Sequence, residues 1–338
     1  MVVRVGVIGV GMIGEDHVRR LSRVLSGSEV VAVTDVDPAR AQEVVGRAPG
    51  ARLHTSGEDL IGDDDVDGVV VASWGPTHEQ FVLACIGAGK PVFCEKPLAT
   101  SRRSCERIID AEVAGGRRLV QVGYMRRYDA AYRALKATVV SGSIGAPLMV
   151  HCAHRNPSVP PMFTGEMLIS DSAVHEMDLS RWLLDEEIVA VRVLEPRRNS
   201  RAPERLRDPL LFLFETSGGV LVDVELSANI GYGYDIRCEV VGESGTVSLG
   251  DEGELRVVRE GVRATRVPRD WRDRFLRAYD VELQAWLDAV AAGGCTGPSA
   301  WDGYATAAVA DACLEALGTG ERCIVTLRER PDLYATAR

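Results

Sequence analysis

Val5-Gly-Val-Ile-Gly9-Val-Gly11-Met-Ile-Gly14 places a GxGxxG turn directly after an apolar, β-branched run and directly before a helical stretch. The first glycine permits a tight turn, and the second lets the backbone approach a pyrophosphate. The third allows close packing of helix on strand, and the helix N-terminus offers N–H groups and a positive dipole end to phosphate. Asp35 closes the next apolar run, 21 residues after Gly14. That is close to the ~20 expected of a carboxylate that binds adenosine ribose hydroxyls. The competing role, a cap or turn residue in Thr34-Asp-Val-Asp-Pro38, suits Asp37 better. A carboxylate at 35 repels a 2′-phosphate, and Val36 follows it rather than an arginine, so the expected cofactor is NAD.

Outward from this turn, apolar runs at Val3–Ile8, Val30–Asp35, Gly68–Ser73, Pro91–Cys94 and Leu119–Gly123 alternate with helical stretches. The helices are expected at Ile13–Leu25, Pro38–Gly46, Thr77–Ala88 and Ser101–Ala114. Evenly apolar strands separated by helices suit a parallel sheet covered on both faces, so residues 1–124 read as a doubly wound α/β Rossmann domain. The pattern changes after that. An amphipathic helix within Arg126–Gly145 precedes a strand at Ala146–His154, a Pro-rich loop (Pro157–Gly165) and a helix at Asp171–Leu184. Short strands follow at Ile188–Glu195, Leu210–Glu215, Val220–Ser227, Asp235–Val241, Thr246–Leu249 and Leu255–Val258, then helices at Asp270–Ala292 and Trp301–Leu317. Residues 125–338 therefore read as an α+β domain on a large open, mostly antiparallel sheet, with the late helices able to pack back on the first domain.

The 338 residues carry 46% hydrophobic and 26% charged side chains, an ordinary globular balance that excludes wholesale disorder. A net charge of −10 provides no basic field for nucleic acid or an anionic membrane. No apolar run approaches the ~20 residues of a membrane span, and the apolar start runs into the glycine turn rather than a cleavage site. The eight cysteines lie in apolar segments with no CxxC pair, which suits reduced, buried thiols in a cytoplasmic protein.

The chemistry-bearing residues fall at strand ends and on one helix. Ser73-Trp74-Gly-Pro76 and Cys94-Glu95-Lys96-Pro97 follow the third and fourth strands, at the edge where ligands sit in open α/β sheets. Trp74 is there either a core residue or a cleft contact, His78 a packing or a cofactor residue, and Lys96 a surface or a catalytic lysine. The expected cofactor-facing set is Gly9, Gly11, Met12, Ile13, Gly14, Asp35, Val36, Ser73, Trp74, His78, Glu95 and Lys96. Asp171, His175 and Asp178 share a helix face by spacing. A histidine oriented by a carboxylate suits a general base, although capping by Asp171 and a structural His–Asp pair are equally consistent. His151 and His154 point to opposite strand faces, which disfavours chelation, and no catalytic metal is expected. His154 shares its face with Asn156. Tyr232 and Tyr234 share another, as packing residues or as hydroxyl ligands.

Taken together, these segments resemble the glucose–fructose oxidoreductase / inositol dehydrogenase family of NAD(P)-dependent sugar and cyclitol dehydrogenases along the whole chain. Glu95-Lys96-Pro97 is a motif of the wider family. Ser73-Trp-Gly-Pro76, Val92–Thr100, Leu119–Asp129, His151–Pro157, Val174-His-Glu-Met-Asp178, Tyr232–Asp235 and Ala300–Tyr304 resemble its inositol dehydrogenase branch. The resemblance implies catalytic Lys96, Asp171 and His175, with Arg126, His154, Asn156 and Tyr234 also contacting a polyol. It implies NAD-dependent oxidation of myo-inositol to 2-keto-myo-inositol (scyllo-inosose) by a homotetramer assembled through open sheet faces. The alternatives are a dehydrogenase of scyllo-inositol, chiro-inositol or an aldose, or a non-catalytic NAD-binding redox sensor. The loop Ser158–Glu166 matches the family less well, as does Ile169-Ser170, where many members carry glycines.

Overall fold

The computed structural model describes residues 1–250, 256–259, 262–265 and 267–335, and it divides into two compact units. The first takes Met1–Tyr124, Tyr279–Ala307 and the chain from Leu327 onward; the second takes Met125–Ala278 and Ala308–Thr326. The stretch 125–338 therefore does not stay in one unit. Leu283, Trp286, Leu287 and Val290, with Trp301 and Tyr304, are core residues of the first unit.

Six strands of the first unit, β1 (Val3–Ile8), β2 (Ser28–Thr34), β3 (Arg52–Leu53), β4 (Gly68–Val71), β5 (Val92–Glu95) and β6 (Val120–Gly123), form a parallel sheet. Their order is β3-β2-β1-β4-β5-β6. The helices between them are α1 (Met12–Arg23), α2 (Pro38–Val45), α3 (Gly57–Gly62), α4 (His78–Gly87) and α5 (Arg102–Gly115). Successive strand residues feed opposite faces, as pleating requires. Val69 and Val71 join one core cluster with Cys85 and Ile108, while Val70 joins another with Val18 and Val44. The strand order reverses between β1 and β4, so the carboxyl ends of these strands are where a ligand belongs. The sequence reading missed β3 and α3. β3 is a two-residue edge strand with both residues exposed, and carries no apolar alternation.

In the second unit a 3₁₀ turn (Met125–Tyr128) leads into α6 (Ala130–Val140), which Asp129 caps, so the expected helix starts later than Arg126. After β7 (Pro147–Arg155), a single turn α7 (Gly165–Met167) runs into a π-helical turn (Leu168–Ala173) and on into α8 (Val174–Leu184). Next come β8 (Ile188–Leu194), β9 (Leu210–Thr216), β10 (Leu221–Ser227), β11 (Asp235–Gly242) and β12 (Thr246–Ser248). The backbone then pairs β13 (Arg256–Arg259) with β14 (Val262–Thr265); Leu255 of the expected strand lies outside the described residues. The helices α9 (Trp271–Ala291) and α10 (Ala300–Thr319) give part of their length to each unit, and β15 (Cys323–Ile324) closes the second sheet. That sheet runs β12-β11-β7-β10-β9-β8-β15. The β7–β10 pair is parallel and the other neighbours are antiparallel. Along β9 buried and half-buried residues alternate, which marks one covered face and one open face.

All eight cysteines are free thiols. Burial pushes the Cys85 thiol up to about 12 and Cys295 up to about 11. Since the thiolate is the reactive form, native protein should react with Ellman's reagent far more slowly than a free thiol at pH 8. Guanidinium should then release eight equivalents without prior reduction; a shortfall would reveal a disulfide.

Among the described residues no helix is long and apolar enough to cross a membrane.

Candidate functional site: a glycine cradle and a buried polar cluster

In the first unit the three glycines of the turn have different reasons to be glycine. Gly9 has φ +86°, and a Cβ there would lie 2.4 Å from the Ser73 Cα. A Cβ on Gly14 would meet the Gly9 carbonyl oxygen at 2.0 Å, whereas one on Gly11 would meet nothing within 4 Å. The turn is therefore closed by packing at its ends and open at its middle. Gly11 is the N-cap of α1 with no side-chain cap, so the helix presents uncapped N–H groups and its positive dipole end beside that open space. The Asp35 carboxylate accepts from Val10 N–H (2.7 Å) and Asp37 N–H (2.8 Å), which holds it against the turn with lone pairs left over. Asp37 itself caps α2 through Ala39 and Arg40, so the capping alternative for Asp35 goes to its neighbour. Val36 and Met12 are exposed and Ile13 is half-buried. Trp74, 77% exposed, is not a core residue. The cradle, the free helix end and the carboxylate fit a dinucleotide.

Two residues of the expected cofactor-facing set have their polar atoms engaged elsewhere. His78 is buried between the two strand-end turns, with Nδ1 2.7 Å from the Pro97 carbonyl and Nε2 3.0 Å from the Ser73 carbonyl, and its single N–H donates to one of them. Burial holds its pKa below the usual imidazole value although both carbonyls act to raise it. Glu95, also buried, accepts from the Lys96 amide (3.2 Å) and pairs with His17 Nε2 (2.7 Å). The sequence reading overlooked His17, a fully buried residue of α1 set edge-on to Phe93. Its signal was its place on the same helix face as Gly14, Val18 and Leu21, all buried. Lys96 is half-buried at the end of β5.

In the second unit the structure brings together Arg126 from the 3₁₀ turn, His154 from β7, His175 from α8 and Tyr234 from the loop before β11. The rings of His154 and His175 lie 6.4 Å apart, and those of His154 and Tyr234 5.7 Å apart. Glu176, which contacts both Arg126 and His154, carries no signal in the sequence, since a glutamate on a helix normally faces solvent. It is 1% exposed, accepts from Arg126 Nη1, and faces His154 Nδ1 at 3.1 Å. Burial acts to raise the Glu176 pKa, but Arg126 and His154 outweigh it and hold the carboxyl below its usual range. Burial pushes the Tyr234 hydroxyl up to about 12, so it remains a donor. Arg126 is therefore held in place by an internal ion pair with Glu176.

Other expectations are revised by the geometry. Thr164 caps the helical run through Met167 N–H, which places Asp171 inside it, on the π turn, rather than at a cap. Asp178 binds Arg127 at two points (2.9 and 2.5 Å). Tyr232 and Tyr234 do not share a strand face. Gly233 between them adopts φ +151°, leaving Tyr232 exposed with its hydroxyl donating to Asp235 (2.6 Å) and Tyr234 buried. His151 pairs with Asp223 (2.5 Å), separated from His154 by strand alternation. Asn156 is half-buried, its backbone bonded to Ser227 and Ile230. Among the described residues no group of three or more His, Cys, Asp or Glu is placed to hold a metal ion.

Residues 3–124 match the model of an oxidoreductase family with an NAD-binding Rossmann fold, and residues 136–327 match that family's C-terminal alpha/beta domain. The chain is 57% identical to inositol 2-dehydrogenase 3 of Saccharopolyspora erythraea, covering 99% of this chain and 98% of that protein. It is 52% identical to inositol 2-dehydrogenase of Serratia proteamaculans over 99% of both. Among solved structures, myo-inositol dehydrogenase from Lactobacillus casei in complex with NAD(H) and myo-inositol superposes with a TM-score of 0.97 at 39% identity, covering 99% of this chain and 100% of that one. By these matches and by its NAD-binding Rossmann unit, the chain belongs to the glucose–fructose oxidoreductase / inositol dehydrogenase family of oxidoreductases.

Proposed function

We propose that this enzyme oxidises myo-inositol to 2-keto-myo-inositol (scyllo-inosose), with Lys96, Asp171 and His175 as its catalytic residues. The observation that carries this reading is the 57% identity, end to end, to a relative named inositol 2-dehydrogenase 3. NAD, when bound, supplies the acceptor for the hydride that leaves the carbinol carbon. His175, oriented by Asp171, takes the hydroxyl proton, and Lys96 donates a hydrogen bond to the oxygen on which negative charge develops. Arg126, His154, Asn156 and Tyr234 make up the polar surface for the remaining hydroxyls. Such a surface rejects analogues that leave its buried groups unpaired. The functional assembly in this reading is a homotetramer joined through open sheet faces.

The test is NADH absorbance with a panel of cyclitols and aldoses, run with NAD and again with NADP. Myo-inositol with NAD should give the fastest signal. A faster rate with scyllo-inositol, chiro-inositol or an aldose would reassign the substrate and direct attention to Ser158–Glu166. Silence across the panel would leave an NAD-binding sensor. A preference for NADP would overturn the role given to Asp35.

A further inference from the structure

Asn156 is clamped by its backbone and free at its side chain. Its N–H donates to the Ser227 carbonyl (2.7 Å) and its own carbonyl accepts from Ile230 N–H (3.0 Å), while its amide group has no partner among the described residues. The strands β7 and β10 run parallel, so their carboxyl ends meet at this clamp. In a regular parallel ladder, a residue that donates to the carbonyl of 227 accepts from the N–H of 229. Ile230 donates instead, so the chain leaving β10 carries one extra residue here. Such a bulge re-aims the side chains around it, and its unpaired backbone groups need partners of their own.

Asp208 supplies them. It is 1% exposed, and its Oδ1 accepts from Ala228 N–H (2.8 Å) and from the Ser227 hydroxyl (3.2 Å). Its Oδ2 accepts from Asn199 Nδ2 (3.1 Å), which also donates to the Asn229 carbonyl (3.1 Å). The Asn199 N–H returns to the Asp208 carbonyl (2.8 Å). Residues 227, 228 and 229 are thus each tied to Asp208, directly or through Asn199. All three donors to the carboxylate are neutral. A buried carboxylate held by neutral groups alone is costly, and convergence of several donors is what offsets the cost.

We propose that Asp208 is a positioning residue of the substrate site: by fixing residues 227–229 it sets the clamp on Asn156 and so delivers the free amide to a hydroxyl of the ligand. An amide brings a donor and an acceptor together, the pair that a hydroxyl satisfies. The proposal rests on the polyol reading above for the identity of that ligand only.

Asp208→Asn tests it at unchanged size. The new amide oxygen can still accept from Ala228, but its NH₂ meets the NH₂ of Asn199, donor against donor. In hydrogen-exchange mass spectrometry, the peptides that contain Asn156 and Ile230 should exchange about tenfold faster than in wild type. The KM for myo-inositol should rise about tenfold, the effect of one hydrogen bond, with the KM for NAD unchanged. Asn156→Ala should raise the same KM by a similar factor. The double variant should exceed Asn156→Ala by less than about twofold, because Asp208 acts through Asn156. Effects that multiply in the double variant overturn the proposal, as does unchanged exchange in a folded Asp208→Asn. A merely structural carboxylate would lower the melting temperature and leave the KM for myo-inositol where it was. If Asp208→Asn fails to fold, Asn199→Ala cuts the ties to Asp208 and Asn229 from a half-buried position, and an unaltered KM there overturns the proposal. Hydrogen exchange reports without turnover, so failure of the polyol assignment is read separately in the NADH panel.

Discussion

His175→Ala should lower kcat about a thousandfold while leaving the KM for NAD within about twofold. A positioned general base contributes on the order of 10²–10⁴ in rate, and imidazole titrates near the pH at which such a base is most useful. His175 sits in the first turn of α8, 7% exposed, with the His154 ring 6.4 Å away. Truncation to alanine removes the proton acceptor but none of the cradle built by Gly9, Gly11 and Gly14. Steady-state kinetics with each substrate varied in turn separates the two effects. Equal damage to kcat and to NAD binding would mean that His175 supports the structure instead, and the base would have to be sought elsewhere. A melting temperature close to wild type guards the comparison, because a buried side chain removed from a packed turn also costs stability.

The second large effect separates two glycines of one motif. Gly9→Ala should destabilise the protein by about 3 kcal/mol, and Gly11→Ala by less than about 0.5 kcal/mol. Gly9 lies at φ +86°, a region that costs an L-residue about 1–2 kcal/mol, and its new Cβ would overlap the Ser73 backbone, adding about 1–3 kcal/mol. Gly11 has φ −66° and nothing within 4 Å of an added Cβ. A methyl group at Gly11 instead occupies space beside the uncapped start of α1, where a pyrophosphate must come close to backbone. Affinity for NAD should fall at least about tenfold in Gly11→Ala although the protein melts like wild type. Thermal melts with and without NAD, followed by a fluorescence titration, decide this. Unchanged NAD affinity in Gly11→Ala would remove the phosphate role from the turn.

What could be read along the chain was what local sequence specifies. Runs such as Gly68–Ser73 are apolar at every position because helices cover both faces of their sheet, and that leaves a continuous trace in the sequence. The GxGxxG spacing, Asp35 after the next strand and the Lys96 strand end are equally local, each tied to its own turn. The alternation along β7 likewise separates His151 from His154 in the sequence itself. The tertiary structure decided the partners of polar residues. His17 and Glu176 lie on helices, where a histidine or a glutamate ordinarily meets water; they are buried because Glu95, 78 residues on, and Arg126, 50 residues back, meet them across the fold. His78 is held by carbonyls 5 and 19 residues away, and Asp178 by Arg127, 51 residues away. Gly233 turns Tyr232 outward and Tyr234 inward, a choice that strand periodicity predicts wrongly. Backbone conformation and apolar burial follow patterns a few residues long. A buried charge survives only beside its counter-charge, and the distance in sequence between the two is set by the fold.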